Sequence, residues 1–440
     1  MKRICFLSLL GLLLSVNTFA QKVTFEEYDL SNGLHVILHQ DNSAPLVTTS
    51  VMYHVGAKDE NPERTGFAHF FEHLLFEGTE NIERGEWFKI VSSNGGTNNA
   101  NTTQDRTYYY EVFPSNNLKL GLWMESERML HPIINQIGVD TQNEVVKEEK
   151  RLRVDNSPYG QWIGVVFKNL FKNHPYRWTT IGSLDHLDAA TLAEFQNFNK
   201  KYYIPNNAVL VVAGDFETST AKKLIADYFG TIPRGTEIVR TVTKEEAITS
   251  EINITFDEDA NIQIPAVFTV YRTPAMTTRD ARVLDMISTI LSDGKSSRLY
   301  KKLVDDKKKA MQVMAFNYSL EEYGAYIVLA LPVGENTLDD LVDEMDEEIV
   351  KIQTELISDK ELQKLRNKFE NQFVNSNASV EGIANSLARY YMLYDDVNLI
   401  NTEIEIYNSI TKEEIREVAK KYLNPNQRLV LDYVPKTEKE

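Results

Sequence analysis

The sequence predicts an α+β protein made of two homologous α/β sandwich domains, each a largely antiparallel sheet packed with helices. Three observations carry this expectation. The chain has 440 residues, more than one hydrophobic core can organise. A segment recurs at a spacing of 220: TLAEFQNFNKKYYIPNN from Thr191 and TKEEIREVAKKYLNPNQ from Thr411. Strand and helix patterns are also mixed within each half, as layered α+β domains require.

The recurrence keeps its register. Thr191, Glu194, Lys200, Lys201, Tyr202, Pro205 and Asn206 match Thr411, Glu414, Lys420, Lys421, Tyr422, Pro425 and Asn426. Each copy reads as an amphipathic helix, a Pro-Asn turn and a strand (Ala208 to Ala213; Arg428 to Tyr433). A period this long means duplicated domains rather than a solenoid. The expected division is a signal peptide over 1–20, a first domain over 21–235, a linker over 236–250 and a second domain over 251–440.

The elements follow in order. Lys2 and Arg3 precede an apolar run, Ile4 to Val16, and Thr18-Phe19-Ala20 offers small residues for cleavage after Ala20. The run is short for a membrane span, so no stable insertion is expected once it is removed, and the mature chain is expected to be periplasmic or secreted. A hairpin is expected around Asn32-Gly33, with Leu34, Val36 and Leu38 on one face. Then come a strand Val47–Val55, helices Gly66–Phe76 and Arg84–Ser93, strands Thr97–Asn101 and Thr107–Phe113, and helices Asn117–His131 and Val139–Val154. The second half opens with strands Ile252–Phe256 and Ala266–Tyr271 and a helix through Leu284–Leu291.

Composition narrows the function classes. The only cysteine, Cys5, lies in the leader, so the mature chain has no disulfide, thiolate metal site or cysteine nucleophile. The net charge is −17, and loss of Lys2 and Arg3 leaves −19. Such a chain is poorly suited to nucleic acid or anionic membranes and suits basic peptides better.

The chemistry concentrates in His69-Phe70-Phe71-Glu72-His73. On a helix, histidines four apart share one face, where both imidazoles can reach one zinc ion. Glu72 lies on the same edge and is placed to take a proton from water as a general base. The order is H-x-x-E-H, the reverse of the commoner H-E-x-x-H. Zinc needs a third ligand. The other histidines (His35, His39, His54, His131, His174 and His186) lack ligand spacing, so a carboxylate is expected. The acidic segment Asn143–Glu149 supplies candidates, and spacing alone leaves Glu144, Glu148 and Glu149 open.

HFFEH followed by LLFEGT, then NGGTNNANTTQDRTYYY, NEVVKEEKR, HPYRWTTIGS and YYIPNNAVLVVAGD, resembles the pitrilysin/insulinase family of inverted zinc peptidases. The resemblance spans essentially the whole mature chain, and the duplication matches that family's paired domains. It implies a zinc endopeptidase with one Zn2+ per chain, acting on short or unfolded peptides. It also implies that the third ligand is the last Glu of V-V-x-E-E, which is Glu149, with 75 residues between it and His73. It assigns Asn99 and Ala100 to a sheet edge that receives the peptide as an added strand, which edge-strand chemistry supports. One departure is Gln142, where the family often carries a glutamate seven residues before this ligand.

A second departure concerns the other half. Matching Gly78 to Gly294 sets Asp285, Ser288 and Thr289 opposite His69, Glu72 and His73, so the second half has no metal site. Complete family members carry an Arg and a Tyr seven residues apart after this helix, which stabilise the oxyanion. Here Val304 and Met311 take those positions, while Arg298 and Tyr300 are only two apart. The resemblance therefore implies the metal half of a heterodimer, with a homologous partner that lacks HxxEH and supplies the Arg/Tyr pair. A homodimeric peptidase and a non-catalytic peptide-holding subunit are the alternatives, and the intact motif argues against the latter.

Overall fold

The computed structural model describes residues 22–436, so the expected leader and its cleavage after Ala20 lie outside the described residues. Among the described residues no helix is long and apolar enough to cross a membrane.

Two sheets form the frame. The first holds β1 (Glu26–Asp29), β2 (His35–Gln40), β3 (Leu46–Tyr53), β4 (Thr97–Thr102), β5 (Thr107–Pro114) and β6 (Ala208–Gly214), in the order β1-β2-β6-β3-β5-β4. The second holds β7 (Ile252–Asp259), β8 (Ala266–Pro274), β9 (Ala310–Ser319), β10 (Tyr323–Pro332) and β11 (Arg428–Pro435), in the order β7-β11-β8-β10-β9. Each sheet is antiparallel except for one parallel pair, β2 with β6 and β7 with β11. The repeat noted in the sequence ends in β6 and β11, which occupy the same place in their sheets. By the same correspondence β4 and β9 are both edge strands, which agrees with the duplicated α+β architecture.

Local signals set the element ends. Gly33 turns the β1–β2 hairpin at φ +87°, a conformation that favours glycine. Helices α1 (Phe67–Leu74), α2 (Trp87–Ser93), α3 (Leu118–Leu130), α4 (Gln136–Lys150) and α5 (Trp162–Leu170) follow in the first half. Helix α4 begins three residues before its expected start at Val139, because the Asn135 side chain accepts from the Gly138 amide at 2.9 Å and caps it. Its expected end at Val154 is instead a wider π-helical turn, Arg151–Asp155.

Leu34, Val36 and Leu38 enter the main core of the first half. The opposite face of β2 is covered too: Ile37 is fully buried, and the His35 ring stacks on Tyr391 at 3.7 Å. Tyr391 belongs to the helix Val380–Tyr394 of the second half, which lies across β3 and β6. The exchange is mutual, because α5 of the first half packs Val166, Phe167 and Leu170 against the second sheet. Each half thus lends a helix to the other's sheet.

A buried polar cluster joins the halves. The Lys58 ammonium lies 3.2 Å from Asp105, 2.5 Å from Glu321 and 3.4 Å from Glu322. Asp105 also accepts from the Glu321 amide at 3.0 Å and the Tyr176 hydroxyl at 2.5 Å. Asp105 sits in the turn between β4 and β5, and Glu321 and Glu322 in the turn between β9 and β10. The turns of the two edge hairpins therefore meet at one shared cation.

Candidate metal centre and cleft

Helix α1 is short and held from several sides. Phe67, Phe70, Phe71 and Leu74 are buried in the core at helical spacing, with Phe67 stacked on Phe195 at 4.5 Å. The opposite edge carries His69, Glu72 and His73. Buried Glu60 receives the Gly66 and Ala68 amides at 2.8 Å each, giving the helix N-terminus a carboxylate partner. Gly66 enters the helix at φ +99°, and Gly182 packs against it so closely that a Cβ would stand 2.3 Å from the Gly66 nitrogen. This contact fixes the Thr179–Gly182 loop beside α1.

Helix α4 packs on α1 and brings Glu149 to the histidines. His69 Nε2 and His73 Nε2 are 3.4 Å apart. Glu149 Oε2 lies 3.1 Å from His73 Nε2 and 3.5 Å from His69 Nε2. For a tetrahedral ion with zinc–ligand bonds of about 2.0–2.1 Å, neighbouring ligand atoms stand about 3.3 Å apart. The three atoms thus form one face of such a tetrahedron, and the donor set, two imidazoles and a carboxylate, suits zinc. Among the described residues no other group of three or more His, Cys, Asp or Glu side chains has this closeness.

The protonation of these groups follows from their surroundings. Burial, with the neighbouring His73, lowers the His69 imidazole to about 4, so it is neutral and able to donate a lone pair at neutral pH. The His73 imidazole holds the Glu149 carboxyl below its ordinary value, keeping it charged. Burial raises the Glu72 carboxyl. His69 Nδ1 is buried without a protein partner.

Of the three carboxylates left open by spacing, Glu144 pairs with Lys147 at 3.1 Å and Glu148 with Arg151 at 3.0 Å; Glu149 alone approaches the histidines. Arg153, one turn on, lies 3.2 Å from the other Glu149 oxygen, Oε1. Gln142 does not reach the histidines and donates to Glu77 at 2.5 Å. The remaining histidines have partners elsewhere, such as Asp29 for His35, Glu127 for His131 and Glu322 for His174.

A cleft of about 830 Å³ opens over this trio. Strand β4, from Asn98 to Thr102, lines it, together with the Thr179–Gly182 loop and residues of α5. The Ala100 amide donates to the Asn99 side chain at 2.9 Å rather than to the sheet. Asn99 and Ala100 therefore sit on the unpaired edge of the sheet, beside the histidines and Glu149.

Every residue lining the cleft comes from the first half. In the second half Asp285, opposite His69 in the repeat, is held by Asn317 at 3.0 Å and Tyr407 at 2.8 Å. Val304 packs against the second core, and Met311 is exposed on β9. Arg298 is bound by Glu361 at 2.9 Å. Sequence reasoning missed Glu60, which supports α1, and Arg106, which donates to the Asn101 carbonyl of β4 at 2.9 Å. Neither has a spacing signal, because each acts through folded proximity.

Residues 35–182 match the family described as Insulinase (Peptidase family M16), and residues 189–369 match the Peptidase M16 inactive domain. Zinc protease PqqE of Helicobacter pylori is 29% identical over 404 residues, 91% of each chain. The uncharacterized zinc protease YmxG of Bacillus subtilis is 22% identical, over 92% of this chain and 97% of that one. The crystal structure of a protease from Helicobacter pylori superposes with a TM-score of 0.88 at 28% identity, covering 94% of this chain and 100% of that one. The first half of the periplasmic protease PqqL from Escherichia coli shares the fold, with a TM-score of 0.76 at 18% identity over 94% of this chain and 93% of that one. With adjoining family matches across both halves and relatives aligned over nearly its whole length, the chain belongs to the insulinase family of peptidases, M16.

Proposed function

We propose that this chain is a zinc-dependent endopeptidase for short or unfolded peptides, exported to the periplasm or beyond, and the metal-bearing subunit of a heterodimer. One observation carries the reading: three ligand atoms within 3.1–3.5 Å of one another, beside a free strand edge and a half-buried carboxylate, Glu72. His69, His73 and Glu149 would hold the ion. Zinc supplies Lewis acidity towards a peptide carbonyl and water.

The protein's own groups account for the rest. The edge of β4 binds the peptide backbone as an added strand, with the Ala100 amide released from Asn99 as donor. Glu72, raised by burial, takes a proton from the attacking water and returns it to the leaving amine. Among the described residues no second-half side chain lines the cleft, and Val304 and Met311 carry no side-chain donor for the oxyanion. A homologous partner chain carrying an Arg and a Tyr would complete the site.

The test is Glu72→Gln in the mature chain loaded with zinc, assayed on internally quenched peptides with and without the partner. Turnover should fall by about 10²- to 10⁴-fold with unchanged zinc content. Undiminished turnover would overturn the peptidase mechanism. Full activity of the isolated wild-type chain would remove the partner requirement alone.

A further inference from the structure

The overall charge points to basic peptides, yet the cleft lining is not acidic: Lys150, Arg153 and Lys168 balance Glu72, Glu149 and Asp155. Outside Glu72 and the histidine–glutamate trio, its charged lining consists of Lys150, Arg153, Lys168 and Asp155. Lys150 is paired with Asp155 at 2.7 Å. That leaves Arg153 and Lys168 as the two lining cations with donors to spare, on a chain of net charge −17. The Arg153 side chain is 77% exposed and touches only Glu149 Oε1, so most of its donors face open space. Lys168, on α5, is exposed and has no ion-pair or hydrogen-bond partner among the described residues. Both line the same cavity as β4, along which an added peptide strand would run. Alternate side chains of such a strand point away from the sheet on each face, so some project into this space.

We infer that Arg153 and Lys168 form a subsite for a carboxylate side chain of the substrate, giving preference for peptides with Asp or Glu near the cleaved bond. The inference rests on the peptidase reading and narrows its substrate class. Two exposed cations in a half-open cleft predict a modest, salt-sensitive preference of roughly 5- to 10-fold.

The test uses the zinc-loaded mature chain carrying Glu72→Gln, so that binding is read without turnover and without a partner. Fluorescent neutral peptides are compared with versions bearing one Asp at each position in turn, by anisotropy. At least one Asp peptide should bind roughly 5- to 10-fold more tightly than its neutral parent at low salt, with the ratio shrinking as salt rises. Lys168→Glu, added to Glu72→Gln, should cancel or invert that ratio, and Arg153→Gln should reduce it. Equal binding of Asp and neutral peptides, or a ratio untouched by Lys168→Glu, overturns this inference and leaves the peptidase reading standing. Failure of the zinc-loaded chain to bind any peptide overturns this inference as well, while the peptidase reading stands or falls separately on the Glu72→Gln turnover assay with the partner.

Discussion

Replacing Lys58 with Met should separate the two halves energetically. Lys58 is the one cation shared by Asp105, Glu321 and Glu322, and its side chain is 5% exposed. Burial alone would raise Glu321, but His54 and Lys58 overcome it and hold the carboxyl at about 2 against an ordinary 4.5. That interval corresponds to about 3 kcal/mol favouring the charged group in the fold, shared between His54 and Lys58. Removing one partner of a buried ion pair independently suggests about 3–5 kcal/mol. For a chain of this length the expected drop in Tm is roughly 3–6 °C, read by calorimetry. The sign with pH follows. A carboxyl lowered by folding contributes fully above its ordinary value and loses that contribution as pH falls from about 4.5 towards 2. The gap between wild type and Lys58→Met should therefore close on acidification through that window. Adding Glu321→Gln to Lys58→Met should recover about 1 kcal/mol by removing a largely buried charge left with His54 alone. A Tm within about 1 °C of wild type at neutral pH would refute the claim that this cluster holds the halves together.

Two further predictions concern the cleft. Glu149→Ala removes one of the three converging atoms and should lower zinc affinity by at least about 100-fold, read by competition with a chromogenic chelator while circular dichroism stays unchanged. Ala100→Pro removes the edge amide now donated to Asn99, and should lower kcat/KM by roughly 5- to 30-fold, mainly through KM, in steady-state cleavage assays.

What could be read in the chain and what could not divide along a physical line. The H-x-x-E-H spacing and the apolar residues between fixed one helix with two faces, because 3.6 residues per turn is a local property. The 220-residue echo revealed the duplication for the same reason, since each copy carries its own cap, turn and strand. Spacing alone could not separate Glu144, Glu148 and Glu149, and it took the family resemblance to point to Glu149, because which carboxylate meets the histidines depends on how α4 crosses α1. The burial of both faces of β2 was also hidden, since the covering helix lies more than 300 residues away in the chain. The charge lining the cleft could not be read from composition, because net charge sums over a whole surface while a cleft carries only the few side chains that folding gathers around it. The sequence by itself determined the ligand types and the repeated architecture. Only the tertiary structure decided how Glu149 comes to meet the histidines, how the two edge hairpins share Lys58, and which charges line the cleft, because each depends on residues distant in sequence that packing alone brings within a few ångströms.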